Sequence, residues 1–159
     1  MDELLELLKR NALETPENLG KMLGLNADEV RKRIAEYEER GVIRGYQAVI
    51  NEDVLALDRV NAVIEVKITP ERHGGFDRIA RRICKFPEVQ SAYLMSGAYD
   101  LLLFVSGRNL KEVATFVSEK LATIEGVVST ATHFMLKTYK QHGLMMEGED
   151  EYERLKVSP

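Results

Sequence analysis

The residues equipped to do chemistry fall in two short stretches. One is LMSGAYDLLLF, residues 94–104, where Asp100 abuts Leu101, Leu102, Leu103 and Phe104. An acid at the head of so apolar a run destabilises a fold unless something satisfies it, because an unpaired charge is expensive to take out of water. The other is LNADEVRKRIAEYEERG, residues 25–41, in which charges surround a few apolar positions. At about 100° per residue, Val30, Ile34 and Tyr37 share one side of a helix. Asp28, Lys32 and Glu39 project opposite them, with Arg31 and Arg33 on the two flanks. Asp28, Arg31 and Lys32 are then the exposed groups of the first half, the set a recognition helix presents to base edges in a major groove, with Arg33 nearer the phosphates. The same charges also make acid-first pairs four apart: Asp28 with Lys32, Glu29 with Arg33, Glu36 with Arg40. Such pairs stabilise a solvated helix by roughly a few tenths of a kcal/mol each, so charge alone does not choose between the two uses.

Other chemistry finds little footing. His73, His133 and His142 lie far apart without carboxylate or cysteine companions at ligand spacing, so no metal site is expected. Cys84 sits on an apolar helix pattern and is expected to be packed. No P-loop and no G-x-G-x-x-G occurs, and Gly74 and Gly75 read as loop residues. Ser91, Ser96 and Ser129 have no readable histidine and acid to complete a triad. The expectation is a protein without catalytic residues and without a cofactor.

The elements that position these stretches follow from caps and periodicity. Leu4, Leu5 and Leu8 mark a short first helix that begins almost at Met1. Thr15 and Pro16 open a second, a capping hydroxyl and then a proline at the first helical position, with Leu19, Met22 and Leu23 as its buried stripe and Gly24 as its end. Asn26 caps the third, with Glu29 as its reciprocal partner and Leu25 and Val30 placed for a hydrophobic staple. Two helices meeting at one glycine turn form a helix-turn-helix. Gly41 closes the third helix, and VIRGYQAVI alternates as a strand or wing would. Cap, staple, turn and wing together tip the reading of residues 1–45 toward DNA.

From residue 59 the period changes. RVNAVIEVKIT alternates, with Ala62, Ile64, Val66 and Ile68 on one side, and Phe76, Ile79, Ala80 and Ile83 then recur at helical spacing. A shift of 38 positions lays FPEVQSA (86–92) on IEGVVST (124–130), and Ile79 and Ile83 on Val117 and Leu121. The repeat is strand, helix, strand, twice, which is the βαββαβ order of the ferredoxin-like fold, four antiparallel strands with both helices on one face. The other face is left open. LLLF is apolar on both sides of its strand, and Val63 and Val105 are expected to add to that open face, so two such sheets are predicted to pack face to face in a homodimer. A two-fold partner also suits a pseudo-palindromic promoter site on double-stranded DNA.

Bulk properties agree with a globular α+β chain. It has 159 residues, 45% hydrophobic, and a single cysteine, which rules out an internal disulfide framework. No apolar run approaches the ~18–20 residues of a membrane helix, and the acidic start MDELLELLKR is unlike a signal peptide, so a cytoplasmic protein is expected. Charge is uneven. Residues 1–58 carry 8 bases and 13 acids, residues 59–140 carry 12 and 8, and residues 141–159 carry 2 and 5, giving −5, +4 and −3. An acidic DNA reader is unusual.

With LGLNADEVRKRIAEYEERGVI followed by VQSAYLMSGAYDLLLF, the chain resembles the Lrp/AsnC, or feast/famine, transcriptional regulators over residues 1 to about 140. The resemblance implies a winged helix-turn-helix domain (1–45), a linker strand (46–58) and a ferredoxin-like, amino-acid-sensing domain (59–140) that dimerises through its sheet and builds octamers from dimers, with an acidic tail (141–159). In such proteins a G-x-(Y/F)-D turn between the second and third strands contributes to a small-molecule pocket where dimers meet. By position that is Gly97, Tyr99 and Asp100, preceded by Met95 and Ser96. Gly97 permits a tight turn, and Asp100 would accept hydrogen bonds from a ligand ammonium group or from backbone amides of its own hairpin. The departures are a shorter first helix, Gly20 where relatives commonly have alanine, with no change of geometry expected, and the tail, which resembles that of regulators of alanine transaminase genes and suggests alanine or another small amino acid as effector. Two alternatives share the architecture. One is a sirohaem-decarboxylase-like subunit, which would show histidine and arginine around the hairpin that here reads SGAYD. The other is an amino-acid sensor that acts through a protein partner without DNA.

Overall fold

The computed structural model describes residues 2–55, 58–70 and 75–147. The chain divides into two compact units, Met1–Ala48 and Val49–Pro159. Of the features read from the sequence, His73, Gly74, two linker residues and tail residues 148–159 lie outside the described residues.

The first unit is three helices, α1 (Glu3–Arg10), α2 (Pro16–Leu23) and α3 (Ala27–Glu39), each opened by a side-chain cap. Asp2 accepts from the Leu4 amide at 2.8 Å, Thr15 from Asn18 at 3.2 Å and Asn26 from Glu29 at 2.8 Å, so each satisfies one of the orphan donors of a helix start. Only half of the expected capping box forms, because the Glu29 carboxylate turns to Arg33 at 2.9 Å instead of back to the cap. Leu4, Leu8, Leu19 and Val30 are the buried core, with Leu25, Ile34 and Tyr37 packed against it. Met22, expected in that core, is 60% exposed, and its place on the inner side of α2 is taken by Gly20.

That exchange has a geometric reason. The Leu25 amide donates to the Gly20 carbonyl at 2.9 Å, folding the chain back tightly after α2. A Cβ on Gly20 would lie 2.6 Å from the Leu25 carbonyl oxygen. The glycine thus admits a close backbone approach that a Cβ would crowd.

Beyond α3, the Val42 and Ile43 amides both donate to the Tyr37 carbonyl, at 2.8 and 3.1 Å, and close the helix end. Residues 43–50 form no strand, although their alternation predicts one. A strand needs a partner for its backbone groups, and the described residues supply none. Ile43 packs on the helical core, and the Tyr46 hydroxyl donates to Glu38 at 2.9 Å; partial burial and then that carboxylate raise the phenol above its ordinary pKa. In place of a continuous linker strand, Glu52–Leu55 makes a single 3₁₀ turn.

The second unit is built on β1 (Val60–Ile68), β2 (Val89–Leu94), β3 (Leu101–Gly107) and β4 (Val127–Phe134). They form one antiparallel sheet in the order β2-β3-β1-β4. α4 (Asp77–Ile83) and α5 (Leu110–Thr115), the latter continued by a π turn over Phe116–Leu121, are the two connections that the internal repeat predicts. Ala62, Ile64, Val66 and Ile68 meet Leu101, Leu103 and Val105 of β3 and Ile79, Ile83, Phe116 and Leu121 in a single core. Val105 therefore faces the helices at 2% exposure, not the open side as expected. The alternate residues Leu102 and Phe104 are the β3 residues of the open face, with Val63 opposite Phe104 in register. A hairpin absent from the expected βαββαβ set, β5 (Lys140–Gln141) with β6 (Leu144–Met145), follows β4.

Candidate nucleic-acid interface and ligand turn

On α3 the side chains take the positions that the helical wheel predicts. Val30 is fully buried and Ile34 and Tyr37 are half-buried, whereas Asp28, Arg31 and Lys32 are exposed, Asp28 by 94%. The Tyr37 hydroxyl donates to Asp2 at 2.8 Å and locks α3 against the chain start. That bond, together with the Leu4 amide, holds Asp2 below the usual carboxylate range and raises the Tyr37 phenol. The helix is rigidly seated with its charged face outward.

The cations on that face differ in how they are held. Arg31 lies between two acids, Asp28 at 2.8 Å and Glu17 of α2, and Arg33 is held by Glu29 at 2.9 Å. The contact from Arg31 to Glu17 crosses the turn, fourteen residues apart in sequence, and no helical spacing signals it. Lys32 has no acid partner among the described residues, nor does the expected pair Glu36 with Arg40 form. To reach a base edge, Arg31 must exchange two carboxylates for it, while Lys32 is free to move at once. The acids on this face oppose any anion that does not offer well-aligned acceptors in return.

In the second unit, Met95, Ser96, Gly97, Tyr99 and Asp100 form the connection from β2 to β3 at one end of the sheet. Met95, Ser96 and Gly97 are exposed, and Tyr99 and Asp100 are half-buried. Gly97 has φ +144°, with nothing near the position of an added Cβ, so the requirement there is conformational and not spatial.

Asp100 is fixed by three hydrogen bonds. Its amide donates to the Val66 carbonyl at 3.0 Å, its carbonyl accepts from the Met95 amide at 2.8 Å, and its Oδ2 accepts from the Ile68 amide at 2.8 Å. The carboxylate thus continues the β1–β3 ladder past its last backbone pair, at the point where the β1–β4 register shifts between Lys67 and Ile68. The donor belongs to the neighbouring strand, not to the aspartate's own hairpin. Its second oxygen, Oδ1, accepts no hydrogen bond from the described residues. One oxygen is structural, then, and the other is available.

Reading the sequence also missed a charged surface. On α4, Arg81 and Arg82 are exposed and so is Lys85 just beyond its end, all on the side away from Ile79 and Ile83. Cys84 is exposed there too, although the apolar pattern suggests a packed thiol. Among the described residues no group of three or more histidine, cysteine or acidic side chains could hold a metal.

Comparison with known proteins places these features. Residues 61–145 match the family model of the Lrp/AsnC ligand binding domain. The HTH-type transcriptional regulator YugG of Bacillus subtilis is 46% identical over 158 residues, spanning 99% of this chain and 95% of that protein. Among solved structures, a transcriptional regulator of Neisseria meningitidis in complex with L-methionine superposes with a TM-score of 0.69 at 26% identity, covering 89% of this chain and 93% of that one. AsnC of E. coli, at 23% identity and a TM-score of 0.67 over 89% of this chain and 95% of its own, shows the same fold.

Proposed function

The chain belongs to the Lrp/AsnC family of transcriptional regulators, and from that premise we propose that it reads promoter DNA with α3 and answers to a small amino acid held at the Met95–Asp100 turn. The relatives are regulators, not enzymes, and this sets the sirohaem-decarboxylase-like reading aside. In the proposed interface Asp28, Arg31 and Lys32 meet base edges and Arg33 lies nearer the phosphates. The observation that supports it is the pairing of a capped, seated helix with an outward charged face at its first two turns. We assign Oδ1 of Asp100 to the effector's ammonium group, with Gly97 allowing close approach and Met95, Ser96 and Tyr99 forming the surround. The methionine complex of the Neisseria regulator makes methionine, beside alanine, a ligand to try. We further infer a homodimer formed through the open sheet face, able to associate into octamers, that acts in the cytoplasm on pseudo-palindromic sites.

The test is a titration of the full chain against the duplex upstream of its own gene, over a salt series, with and without alanine and methionine. Arg31→Ala and Lys32→Ala should each weaken the specific complex by about 1–3 kcal/mol, or roughly 5- to 150-fold. If both leave affinity and salt slope as they were, α3 is not the reader. An effect of amino acids on assembly without any DNA complex would favour the protein-partner alternative.

A further inference from the structure

The charge distribution of the second unit is concentrated. Residues 59–140 carry a net +4, and residues 77–85 alone supply +3 of it, through Arg78, Arg81, Arg82 and Lys85 against Asp77. The four cations stand at i, i+3, i+4 and i+7, so they share one helix face, and Ile79 and Ile83 anchor the opposite face in the core. All four are exposed. Around Arg81, Arg82 and Lys85, acid neighbours are few among the described residues. Asp77 reaches Arg81 only at 4.0 Å, with both side chains more than three-quarters exposed. Glu125 lies across a shallow depression lined by Arg78 and Arg82. Arg82 and Lys85 have no ion-pair partner among the described residues.

The contrast with α3 is informative. There two of the three central cations are already engaged by acids, in a unit that is acidic as a whole. On α4 the pairs four apart, Arg78 with Arg82 and Arg81 with Lys85, are like-charged, an arrangement that weakens a helix. The second helical connection does not repeat it: residues 108–125 balance Arg108, Lys111 and Lys120 against Glu112, Glu119 and Glu125. A cationic surface such as that of Arg81, Arg82 and Lys85 focuses potential on a polyanion, and neutralising phosphates supplies the sequence-independent part of DNA affinity.

We propose that the α4 face of Arg81, Arg82 and Lys85 is a second DNA-contacting surface, one that meets phosphates and not bases. It rests on the regulator reading above, and answers the difficulty of an acidic reading unit by assigning the bulk of phosphate neutralisation to the sensing unit. DNA bound through this face adds protected phosphates to those met by α3.

The test compares wild type, the triple variant Arg81→Gln/Arg82→Gln/Lys85→Gln and the single Arg82→Gln on two duplexes of equal length. One carries the region upstream of the protein's own gene and the other is of mixed sequence. Sedimentation and thermal unfolding are recorded for each variant. The triple variant should lose affinity for both duplexes by the same factor, of order 10-fold or more at moderate salt, with a salt slope shallower by about 0.9 for each phosphate contact removed, fewer protected phosphates, and unchanged sedimentation and melting. The single variant should show a smaller loss of the same kind. Unaltered affinity and slope on both duplexes, in a wild type that does bind, would overturn the α4 surface and leave the α3 reading standing. A loss confined to the specific duplex, or one that tracks a change in sedimentation, would also overturn it, the latter assigning the face to contacts between protein copies. A wild type that binds neither duplex removes the regulator reading itself.

Discussion

Asp100 holds the fold with one carboxylate oxygen, and the proposed effector contact falls to the other. The Ile68 amide lies just past the last β1–β3 pair, Val66 with Leu101, and the carboxylate accepts from it at 2.8 Å. Truncation to alanine orphans a part-buried donor, which costs about 1–3 kcal/mol. Asparagine keeps an acceptor oxygen but not the charge. Chemical denaturation should therefore find Asp100→Ala less stable by that amount and Asp100→Asn by less than about 1 kcal/mol, whereas calorimetry with alanine or methionine should show both variants impaired in binding. Equal stability of Asp100→Ala and wild type would remove the ladder role. An undiminished ligand response in Asp100→Asn would move the ammonium site elsewhere. The two readouts separate because they draw on different oxygens of one carboxylate.

At the scale of elements, the helix-turn-helix depends on how closely α2 and α3 approach, and Gly20 sets that distance. Gly20→Ala gains up to about 1 kcal/mol of helix propensity and loses more, because its Cβ would meet the Leu25 carbonyl at 2.6 Å and only backbone movement relieves that contact. We expect a net loss of about 1–2 kcal/mol in the unfolding of the first unit, and weaker DNA binding as α3 tilts; a variant as stable as wild type would show that the turn yields freely. This was not legible in the sequence, because a close approach between backbone atoms leaves no trace in composition. What was legible is whatever local chemistry dictates. The caps at Thr15 and Asn26, the helix ends at Gly24 and Gly41 and the alternation along β1 follow from side-chain and backbone preferences that act over a few residues. Met22, Val105 and the missing wing were misread because each depends on a partner distant in sequence or absent among the described residues. The glutamate at 17 and the amide of Ile68 escaped for the same reason, since both reach their partners only after elements pack.

For the whole molecule, the proposed dimer turns on the open face of the sheet. Its centre is apolar: Val63 pairs with Phe104, Tyr93 with Leu102, and the Tyr93 and Phe104 rings meet edge to face at 6.1 Å. On the inner strand β1 the same face also carries Glu65, opposite Leu102 in register and 3.4 Å from His133, with Lys67 toward the strand end. A contiguous apolar cluster on an uncovered sheet face suits an interface, and one sheet face applied to its own copy gives an isologous dimer that closes on itself. Phe104→Lys tests this cleanly. Leu103 and Val105 on either side of it point into the helix-covered core, so the lysine meets solvent in a monomer and a second lysine across the two-fold axis in a dimer. Sedimentation should show the variant as a monomer that stays folded, with helical content retained, where wild type is dimeric or larger. A monomer can occupy only one half-site at a time, so its affinity for a two-fold DNA site should fall by well over an order of magnitude as the effective-concentration gain of the linked second unit is lost. If Phe104→Lys sediments with wild type, copies associate through another surface, and the apolar centre of the sheet must be covered in some other way.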